Sequence, residues 1–271
     1  MSYPSALVLD SGVGGLSIVA KIREICTPLQ IHYLADLAGF PYGIKSEAEL
    51  LHRVIGLLES SLPIYQPDLV VIACNTASTL VLDELRQRFS LPFVGVVPAI
   101  KPAAQLTQTG VIAILATEGT VKRDYTHKLI QDFAAHHQVL RHGSSNLVLL
   151  AEQKLRGNLL GDADIEREVE ALKKIDPRLD TVVLACTHFP LLKEELSRSL
   201  PHIRYWVDSG DAIARRVQYW LDHLGIRAEE SAQAPVNHFL LTGPGGFEYN
   251  TRKIEDLLGR FEILRVSDES P

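Results

Sequence analysis

The sequence contains little sulfur. Three cysteines and one methionine occur in 271 residues, and no two cysteines form a CxxC pair. An odd number of dispersed cysteines argues against a disulfide framework and fits thiols that stay reduced inside a cell. The cysteines are therefore expected to serve either packing or chemistry.

Long apolar runs and an excess of positive charge are also missing. No segment approaches the roughly 18 consecutive apolar residues of a membrane span, and residues 1–10 lack the charged start and apolar core of a signal peptide. The 27 Lys and Arg residues are outnumbered by 33 Asp and Glu residues, the net charge is −6, and there is no basic cluster. We therefore expect a cytoplasmic protein without a membrane or nucleic-acid partner.

The chain does contain a series of short apolar runs rich in β-branched residues. In chain order they read ALVLD, IHYLAD, DLVVIAC, PFVGVV, VIAILA, TVVLAC and IRYWVD. Amphipathic helical patterns lie between several of them, and one helix has the capping-box pair Ser46 and Glu49 at its start. This alternation is typical of parallel sheets covered by helices. The predicted fold class is α/β.

Two cysteines lie where a strand pattern gives way to a helix pattern. Cys74 ends LVVIAC, and Cys186 ends TVVLAC and is followed by Pro190, which suits a first helical position. Ligands of open α/β sheets bind at the carboxyl ends of strands, and helix N-termini favour anions such as a thiolate. Either cysteine can therefore be activated, whereas Cys26, at the end of a helical pattern, is predicted to be a buried apolar side chain.

The repeated cysteine motif suggests an internal duplication. A weaker internal similarity relates LVLDSGVG to AILATEGT, since each passes from a strand through a Gly-containing turn towards a helix. We predict two similar α/β domains with mostly parallel sheets, related by a pseudo-twofold axis, with the active site in the cleft between them. Because Pro98 and Pro102 interrupt the pattern, the domains are placed at residues 1–97 plus 208–271 and at residues 98–207.

Two thiols at facing strand ends can act on opposite faces of one carbon. One removes a proton and the other donates one, which inverts a stereocentre. A cysteine with the ordinary pKa of about 8.5 needs help to be a thiolate at neutral pH. Asp10, at the end of the first strand, and His188, two residues after Cys186, are the candidate helpers. Equally, Asp10 could cap the following turn and His188 could be a hydrogen-bonded surface group.

The motifs carry a resemblance to a known family. DSGVGGL, PYG, ACNTAS, ATEGTV, ACTHFP and VDSGDAIA occur in the order and at about the spacing seen in glutamate racemases, from about Leu7 to Leu224. The resemblance implies a cofactor-independent, metal-free isomerase that interconverts L- and D-glutamate by a two-base mechanism. It also implies a role in peptidoglycan and cell-wall biogenesis, and hence in cell shape, through the supply of D-glutamate.

The resemblance also assigns site residues. Cys74 and Cys186 would be the acid/base pair, with Cys74 deprotonating D-glutamate and Cys186 L-glutamate, and Asp10 and His188 would assist them. The positions that match substrate-binding residues of the family are Asp10, Ser11, Pro41, Tyr42, Gly43, Asn75, Thr76, Thr117, Thr120, Thr187 and His188. Their hydroxyls and amides suit carboxylate ligands and a carbanion-like transition state.

Glu152 is the expected counterpart of a further acidic residue that assists catalysis in the family. The chain departs from the family shortly before it, with Ser145 and Asn146 where a Cys-Pro pair is common. An ordinary acidic residue early in a helix is the alternative interpretation of Glu152. Members that a cell-wall precursor activates carry an additional N-terminal segment, so precursor activation is not expected here. A homodimer is expected, because homodimers are usual in the family.

Four other functions remain open. A nucleotide-binding oxidoreductase is suggested by Gly12 and Gly14 after a strand and by Asp36 at the end of the next one, but Ser17 stands where the fingerprint needs a third Gly or Ala. An aspartate racemase would use the same two cysteines. Metal binding by Cys74, Cys186 and His188 would lack the usual tight ligand pairs. Inhibition of DNA gyrase, which some relatives bind, would be a second, non-catalytic activity.

Overall fold

The computed structural model describes residues 3–26, 28–226 and 235–266. It divides into two compact units. The first runs from Met1 to Val96 and from Gly210 to Pro271, and the second from Val97 to Ser209.

The described residues form strands and helices in regular alternation. The strands are β1 (Ser5–Asp10), β2 (Gln30–Ala35), β3 (Leu69–Ile72), β4 (Phe93–Gly95), β5 (Val111–Ala116), β6 (Gln138–Gly143), β7 (Thr181–Leu184), β8 (Tyr205–Val207), β9 (Asn237–Leu241) and β10 (Phe261–Arg265). The helices are α1 (Leu16–Ile25), α2 (Glu47–Tyr65), α3 (Asn75–Arg88), α4 (Ile100–Leu106), α5 (Glu118–Lys122), α6 (Asp124–Ala134), α7 (Asn146–Arg156), α8 (Asp162–Ile175), α9 (Lys193–Ser199), α10 (Gly210–His223) and α11 (Thr251–Leu258). Short 3-10 turns occupy Leu37–Gly39, Tyr42–Ile44 and Phe189–Leu192.

The sheet of the first unit is parallel throughout, with the strand order β10-β9-β2-β1-β3-β4. The strands β1 and β3 are completely buried along their length, as expected for apolar strands covered by helices on both faces. Helix α2 begins at the predicted capping box, in which Ser46 and Glu49 each bond the other's backbone N–H. Its Leu50, Val54 and Leu58 are buried in the core of this unit.

The sheet of the second unit is also parallel, with the order β6-β5-β7-β8. This order repeats the β2-β1-β3-β4 portion of the first sheet, so β5 and β7 correspond to β1 and β3. In each unit the chain passes to one side of its first strand and then to the other, which creates a switch point at the carboxyl ends of β1 and β3, and of β5 and β7. The predicted α/β class with two mostly parallel sheets is confirmed.

Three strands were not predicted from the sequence, and one helix begins differently from its prediction. The strands β6, β9 and β10 were missed, and β6 and β10 are edge strands whose side chains are exposed or half-buried, so they carry little apolar signal. The helix expected directly after Cys186 begins instead as the 3-10 turn Phe189–Leu192, with Pro190 as its second residue, and α9 follows it. None of the helices formed by the described residues has the length and apolar character needed to cross a membrane.

Candidate active site

Cys74 lies at the switch point of the first sheet. It follows β3 and is the N-cap residue of α3, a helix with no acidic residue in its first turn. The N–H groups of a first helical turn have no intrahelical acceptors and carry partial positive charge, so they favour a negative group nearby. The thiol is almost completely buried. This position is suited to a cysteine that works as a thiolate during part of a reaction cycle.

Asp10 ends β1, the neighbour of β3. Its carboxylate accepts hydrogen bonds from the backbone N–H of Ser11, at 2.7 Å, and from that of Gly15. The interpretation that Asp10 caps the following turn is therefore confirmed. Gly15 is closely packed here: an added Cβ would lie 2.9 Å from Cβ of Ala73 and 3.0 Å from Cβ of Asp10. Helix α1 can begin this close to the sheet only because Gly15 has no side chain.

Asn75 directly follows Cys74 and is buried. Its amide nitrogen Nδ2 has no hydrogen-bond partner among the described residues. Buried polar groups in native proteins are nearly always paired, so an unpaired buried donor beside a candidate catalytic thiol indicates a ligand acceptor. Thr76 is buried next to it, at the start of the same helix.

The Pro41–Gly43 segment lies in the same unit. Tyr42 is buried in the apolar cluster that contains Cys74, while Pro41 and Gly43 are half-buried. The hydroxyl of Tyr42 donates to Oδ2 of Asp36 at 2.6 Å. Burial, the charge of Asp36 and this hydrogen bond raise the pKa of Tyr42 well above its usual value, so the phenol stays neutral. The turn that contains Tyr42 packs against α3, the helix that Cys74 caps.

A line of three buried side chains forms the candidate site of the second unit. Cys186 follows β7, and its Sγ lies 3.9 Å from Nδ1 of His188. The other ring nitrogen, Nε2, lies 2.8 Å from Oε1 of Glu152 in α7. His188 is 2% and Glu152 1% exposed. Two alternatives from the sequence are therefore wrong: His188 is not a surface group, and Glu152 is not an ordinary early-helix acid.

The environment of His188 favours its charged form. Burial alone lowers its pKa, but the hydrogen bonds to Cys186 and Glu152, together with the negative charges of these groups, outweigh burial and hold the pKa well above 6.5. A protonated ring can donate from both nitrogens, to the carboxylate on one side and to a thiolate on the other. The ring is therefore placed to pair with the sulfur of Cys186 when the thiol gives up its proton.

Threonines complete the polar side chains at this end of the second sheet. Thr117 follows β5 and caps α5, where its Oγ1 accepts from the N–H of Thr120 at 3.3 Å and lies 3.0 Å from Oγ1 of Thr120. Thr187 is buried between Cys186 and His188 in the chain. Since β5 and β7 are neighbours, these hydroxyls and Cys186 occupy the same edge of the sheet.

Comparison with known proteins identifies the family. Residues 8–217 match the family model described as Asp/Glu/Hydantoin racemase. A glutamate racemase from Pectobacterium carotovorum is 49% identical over 223 residues, which cover 82% of this chain and 78% of the relative. The chain belongs to the Asp/Glu/Hydantoin racemase family.

Solved structures agree with this family. Escherichia coli glutamate racemase, in complex with L-glutamate and the activator UDP-MurNAc-Ala, is similar with a TM-score of 0.86 at 44% identity, covering 97% of this chain and 98% of that chain. A glutamate racemase isoform from Bacillus anthracis gives a TM-score of 0.77 at 27% identity, covering 97% of each chain. The resemblance to glutamate racemases predicted from the sequence is confirmed, as is the prediction of an amino-acid racemase.

Within this racemase, the predicted site residues fall into two groups, one in each unit. The first unit contains Asp10, Ser11, Pro41, Tyr42, Gly43, Cys74, Asn75 and Thr76, and the second contains Thr117, Thr120, Glu152, Cys186, Thr187 and His188. Across residues 3–26, 28–226 and 235–266, no three His, Cys, Asp or Glu side chains are grouped so that they could hold a metal ion.

The remaining cysteine of the racemase takes no part in either group. Cys26 is buried at the end of α1, where its thiol donates to the carbonyl oxygen of Ala214 at 3.3 Å. Burial raises its pKa to about 11. The prediction that Cys26 is a buried apolar side chain is confirmed. Arg53 and Thr242 were not predicted as site residues; both donate hydrogen bonds to Asp36, the acceptor of the Tyr42 hydroxyl.

Proposed function

We propose that this chain is a glutamate racemase that interconverts L- and D-glutamate without a cofactor, with Cys74 and Cys186 as the two bases. The observation that carries the proposal is the buried series Cys186, His188 and Glu152, in which a carboxylate and a thiol flank one imidazole. Family membership and the glutamate racemases among its relatives support the substrate.

The proposed reaction exchanges one proton at Cα. With L-glutamate, Sγ of Cys186 as a thiolate takes the Cα proton, and the electron pair of the broken C–H bond stays on Cα as a carbanion-like centre. The thiol of Cys74 then gives its proton to the opposite face, which yields D-glutamate and leaves Cys74 as the thiolate. With D-glutamate the roles reverse. His188 and Glu152 stabilise the thiolate of Cys186, and Asp10 assists Cys74.

Donors near each cysteine would hold the substrate. The unpaired Nδ2 of Asn75 and the first N–H groups of α3 supply hydrogen bonds for a carboxylate beside Cys74. Ser11 and Thr76 in the first unit have the same chemistry, as do Thr117, Thr120 and Thr187 in the second, and the Pro41–Gly43 segment would contribute its backbone. Donors that are already in place stabilise charge as it develops on the reacting carbon.

Incubation with L-glutamate in D2O tests the proposal. Early in the reaction, D-glutamate that carries deuterium at Cα while the remaining L-glutamate stays mostly unlabelled would support two distinct bases. Equal labelling of both enantiomers from the start would contradict them and indicate a single base. Turnover of aspartate but not of glutamate would leave the two-cysteine chemistry in place and identify an aspartate racemase. If neither amino acid exchanges its proton, the proposed function fails.

We also propose a cytoplasmic homodimer that supplies D-glutamate for peptidoglycan, as the resemblance implies. Light scattering of the purified chain across a concentration series tests the dimer, which fails if the mass stays near 30.0 kDa. Depletion of the protein in its host tests the supply role, because added D-glutamate should then restore cell-wall growth.

Two properties of relatives need their own tests. The Escherichia coli relative was solved with the activator UDP-MurNAc-Ala. Racemisation rates measured with and without UDP-MurNAc-Ala decide whether this precursor acts on the present chain, since a rise in rate would show activation. Gyrase inhibition is tested with a Cys74→Ala variant in a supercoiling assay. Inhibition that survives the loss of racemisation would be a separate binding function.

A further inference from the structure

Asp36 is a fully buried carboxylate outside both groups of predicted site residues. It directly follows β2, and its backbone N–H donates to the carbonyl oxygen of Asp10, at 2.9 Å. In the sequence, Asp36 stands only as the acidic residue of a nucleotide-binding motif. The family assignment leaves it without that role, although a buried ionised group is costly and is retained only where it is well paired.

The carboxylate of Asp36 accepts hydrogen bonds from side chains in three other parts of this unit. Nε and Nη2 of Arg53, on α2, donate to its two oxygens as a bidentate pair. Oγ1 of Thr242, just after β9, donates to Oδ1 at 2.7 Å, and the hydroxyl of Tyr42 donates to Oδ2 at 2.6 Å. The backbone N–H of Gly39 also donates to Oδ1, at 3.2 Å. Asp36 is therefore fully satisfied, and its partners are fixed in direction.

This cluster holds the segment between β2 and α2 in one conformation. Oγ1 of Thr242 accepts from the N–H of Ala38 at 3.0 Å, so it links that segment to Asp36. Gly39 is packed so tightly that an added Cβ would lie 2.6 Å from Nε of Arg53 and 2.9 Å from the ring of Tyr42. The Pro41–Gly43 segment follows immediately. Its position is therefore determined by Asp36 and the groups that hold Asp36.

Tyr42 connects this cluster to Cys74. The two residues share one buried cluster, and the turn Tyr42–Ile44 packs against α3, whose N-cap residue is Cys74. Because the phenolic proton is committed to Asp36, the oxygen of Tyr42 faces its remaining surroundings as a hydrogen-bond acceptor only. A hydroxyl fixed in this way holds the Tyr42 ring in one orientation within the cluster that contains Cys74, so the position of the thiol depends on Asp36.

We propose that Asp36, held by Arg53 and Thr242, is a positioning residue for proton transfer at Cys74, and that it acts through the hydroxyl of Tyr42. The inference rests on the proposed function, since it concerns one of the two proton transfers of a racemase. It predicts that damage to this cluster slows the transfer at Cys74 more than the transfer at Cys186.

Deuterium isotope effects on kcat/KM separate the two transfers. Glutamate deuterated at Cα in the D form reports the step at Cys74, and the L form reports the step at Cys186. In Asp36→Asn and Thr242→Val we expect kcat/KM to fall about tenfold to a hundredfold, as for a misplaced catalytic group. The isotope effect with the D form should rise relative to that with the L form. Thr242→Ser, which keeps the hydroxyl, should restore the wild-type ratio.

Asp180 provides a matched control. It is also a buried aspartate that accepts several hydrogen bonds, from the hydroxyls of Thr107 and Thr181 at 2.6 and 2.8 Å and from the N–H groups of Gln108 and Thr109. It precedes β7, at the end opposite Cys186. Asp180→Asn should lower the melting temperature and leave the ratio of isotope effects unchanged.

A double variant tests the route through Tyr42. If Asp36 acts through the phenol, Tyr42→Phe should shift the isotope effects in the same direction, and Asp36→Asn combined with Tyr42→Phe should be no slower than the slower single variant. Additive losses in the double variant overturn the inference. It is also overturned if Asp36→Asn and Thr242→Val show the same ratio of isotope effects as Asp180→Asn. If Asp36→Asn does not fold, the pair Thr242→Val and Thr242→Ser decides alone. An inactive wild type would instead refute the proposed function.

Discussion

Oε1 of Glu152 lies 2.8 Å from Nε2 of His188, and both side chains are almost completely removed from solvent. The second nitrogen of the same ring lies 3.9 Å from Sγ of Cys186. A carboxylate bound to one side of an imidazole orients the ring and favours its protonated form. Glu152 is therefore positioned to control the charge that His188 presents to Cys186.

Replacement of Glu152 should shift the pH dependence of racemisation. The pKa of His188 is raised above 6.5, so the ring is protonated at neutral pH and loses its proton as the pH rises through that raised value. Glu152→Gln removes one of the charges that raise this pKa. The alkaline limb of kcat/KM should therefore move to lower pH, towards 6.5, with a rate loss of about tenfold to a hundredfold at pH 8. A pH profile of racemisation measures both effects.

Glu168 supplies the control for that experiment. It is a half-buried acid of α8 whose Oε2 accepts from the hydroxyl of Ser144 at 2.7 Å, close to the start of α7, and it does not pair with His188. Glu168→Gln should leave the alkaline limb where it is. An unchanged limb in Glu152→Gln would show that Glu152 does not control the proton on His188.

The three cysteines should respond differently to replacement by alanine. Cys74→Ala and Cys186→Ala should each abolish racemisation, because each removes one of the two proton-transfer groups. In D2O, Cys74→Ala should retain slow exchange only at L-glutamate and Cys186→Ala only at D-glutamate. Cys26→Ala should keep full activity, since the thiol of Cys26 is buried against Ala214. Mass spectrometry of the recovered amino acids and a chiral assay measure these outcomes; exchange at the opposite enantiomers would reverse our assignment of the bases.

Local patterns in the sequence were sufficient to predict that Cys74 and Cys186 follow strands and that α2 begins after Ser46. Buried parallel strands consist of apolar, β-branched residues on both faces, so β1, β3, β5 and β7 are visible as short runs, and the polar residues directly after each run mark the carboxyl edge of its sheet. The capping box of Ser46 and Glu49 is a signal within four residues. Short-range chemistry of this kind is contained in the sequence itself.

Contacts between distant segments could not be predicted in the same way. Glu152 and His188 are 36 residues apart, and they meet because α7 packs against the turn after β7. The separation of Asp36 and Thr242 is 206 residues, and their contact depends on β9 pairing with β2, which no local pattern specifies. The edge strand β6 was missed because exposure weakens the apolar pattern on which strand prediction depends.

A methyl group at Gly15 should impair both stability and activity. The added Cβ of Gly15→Ala would lie 2.9 Å from Cβ of Ala73, 3.0 Å from Cβ of Asp10 and 3.0 Å from the hydroxyl of Tyr33. Overpacking of this kind costs about 1–3 kcal/mol. Because Asp10 and the residue before Cys74 are the groups displaced, kcat should fall as well. Gly245→Ala is the control, since nothing lies within 4 Å of its added Cβ. Chemical denaturation and initial rates measure the two effects, and equal behaviour of both variants would contradict the prediction.

The stability of the protein should fall in acid because of His32. Its Nδ1 lies 3.0 Å from Nδ1 of His238 on the neighbouring strand, and the ring packs against Tyr65. Burial and the positive charge of His238 lower the pKa of His32 from 6.5 to about 4. The unfolded chain takes up a proton near pH 6.5, whereas the folded protein resists it until about pH 4. The contribution of His32 is therefore complete above pH 6.5 and is lost as the pH falls towards 4, a loss on the order of 3 kcal/mol.

Removal of the titrating group should make that acid dependence shallower. In His32→Phe the free energy of unfolding, measured by urea denaturation between pH 7 and pH 4, should fall less steeply than in the wild type, because the unfolded chain then has one proton fewer to bind in this range. His52→Asn, at an exposed position of α2, should keep the wild-type slope. A parallel slope in His32→Phe would mean that His32 is not the group whose protonation destabilises the fold, and the pairing with His238 would then have no consequence for acid stability.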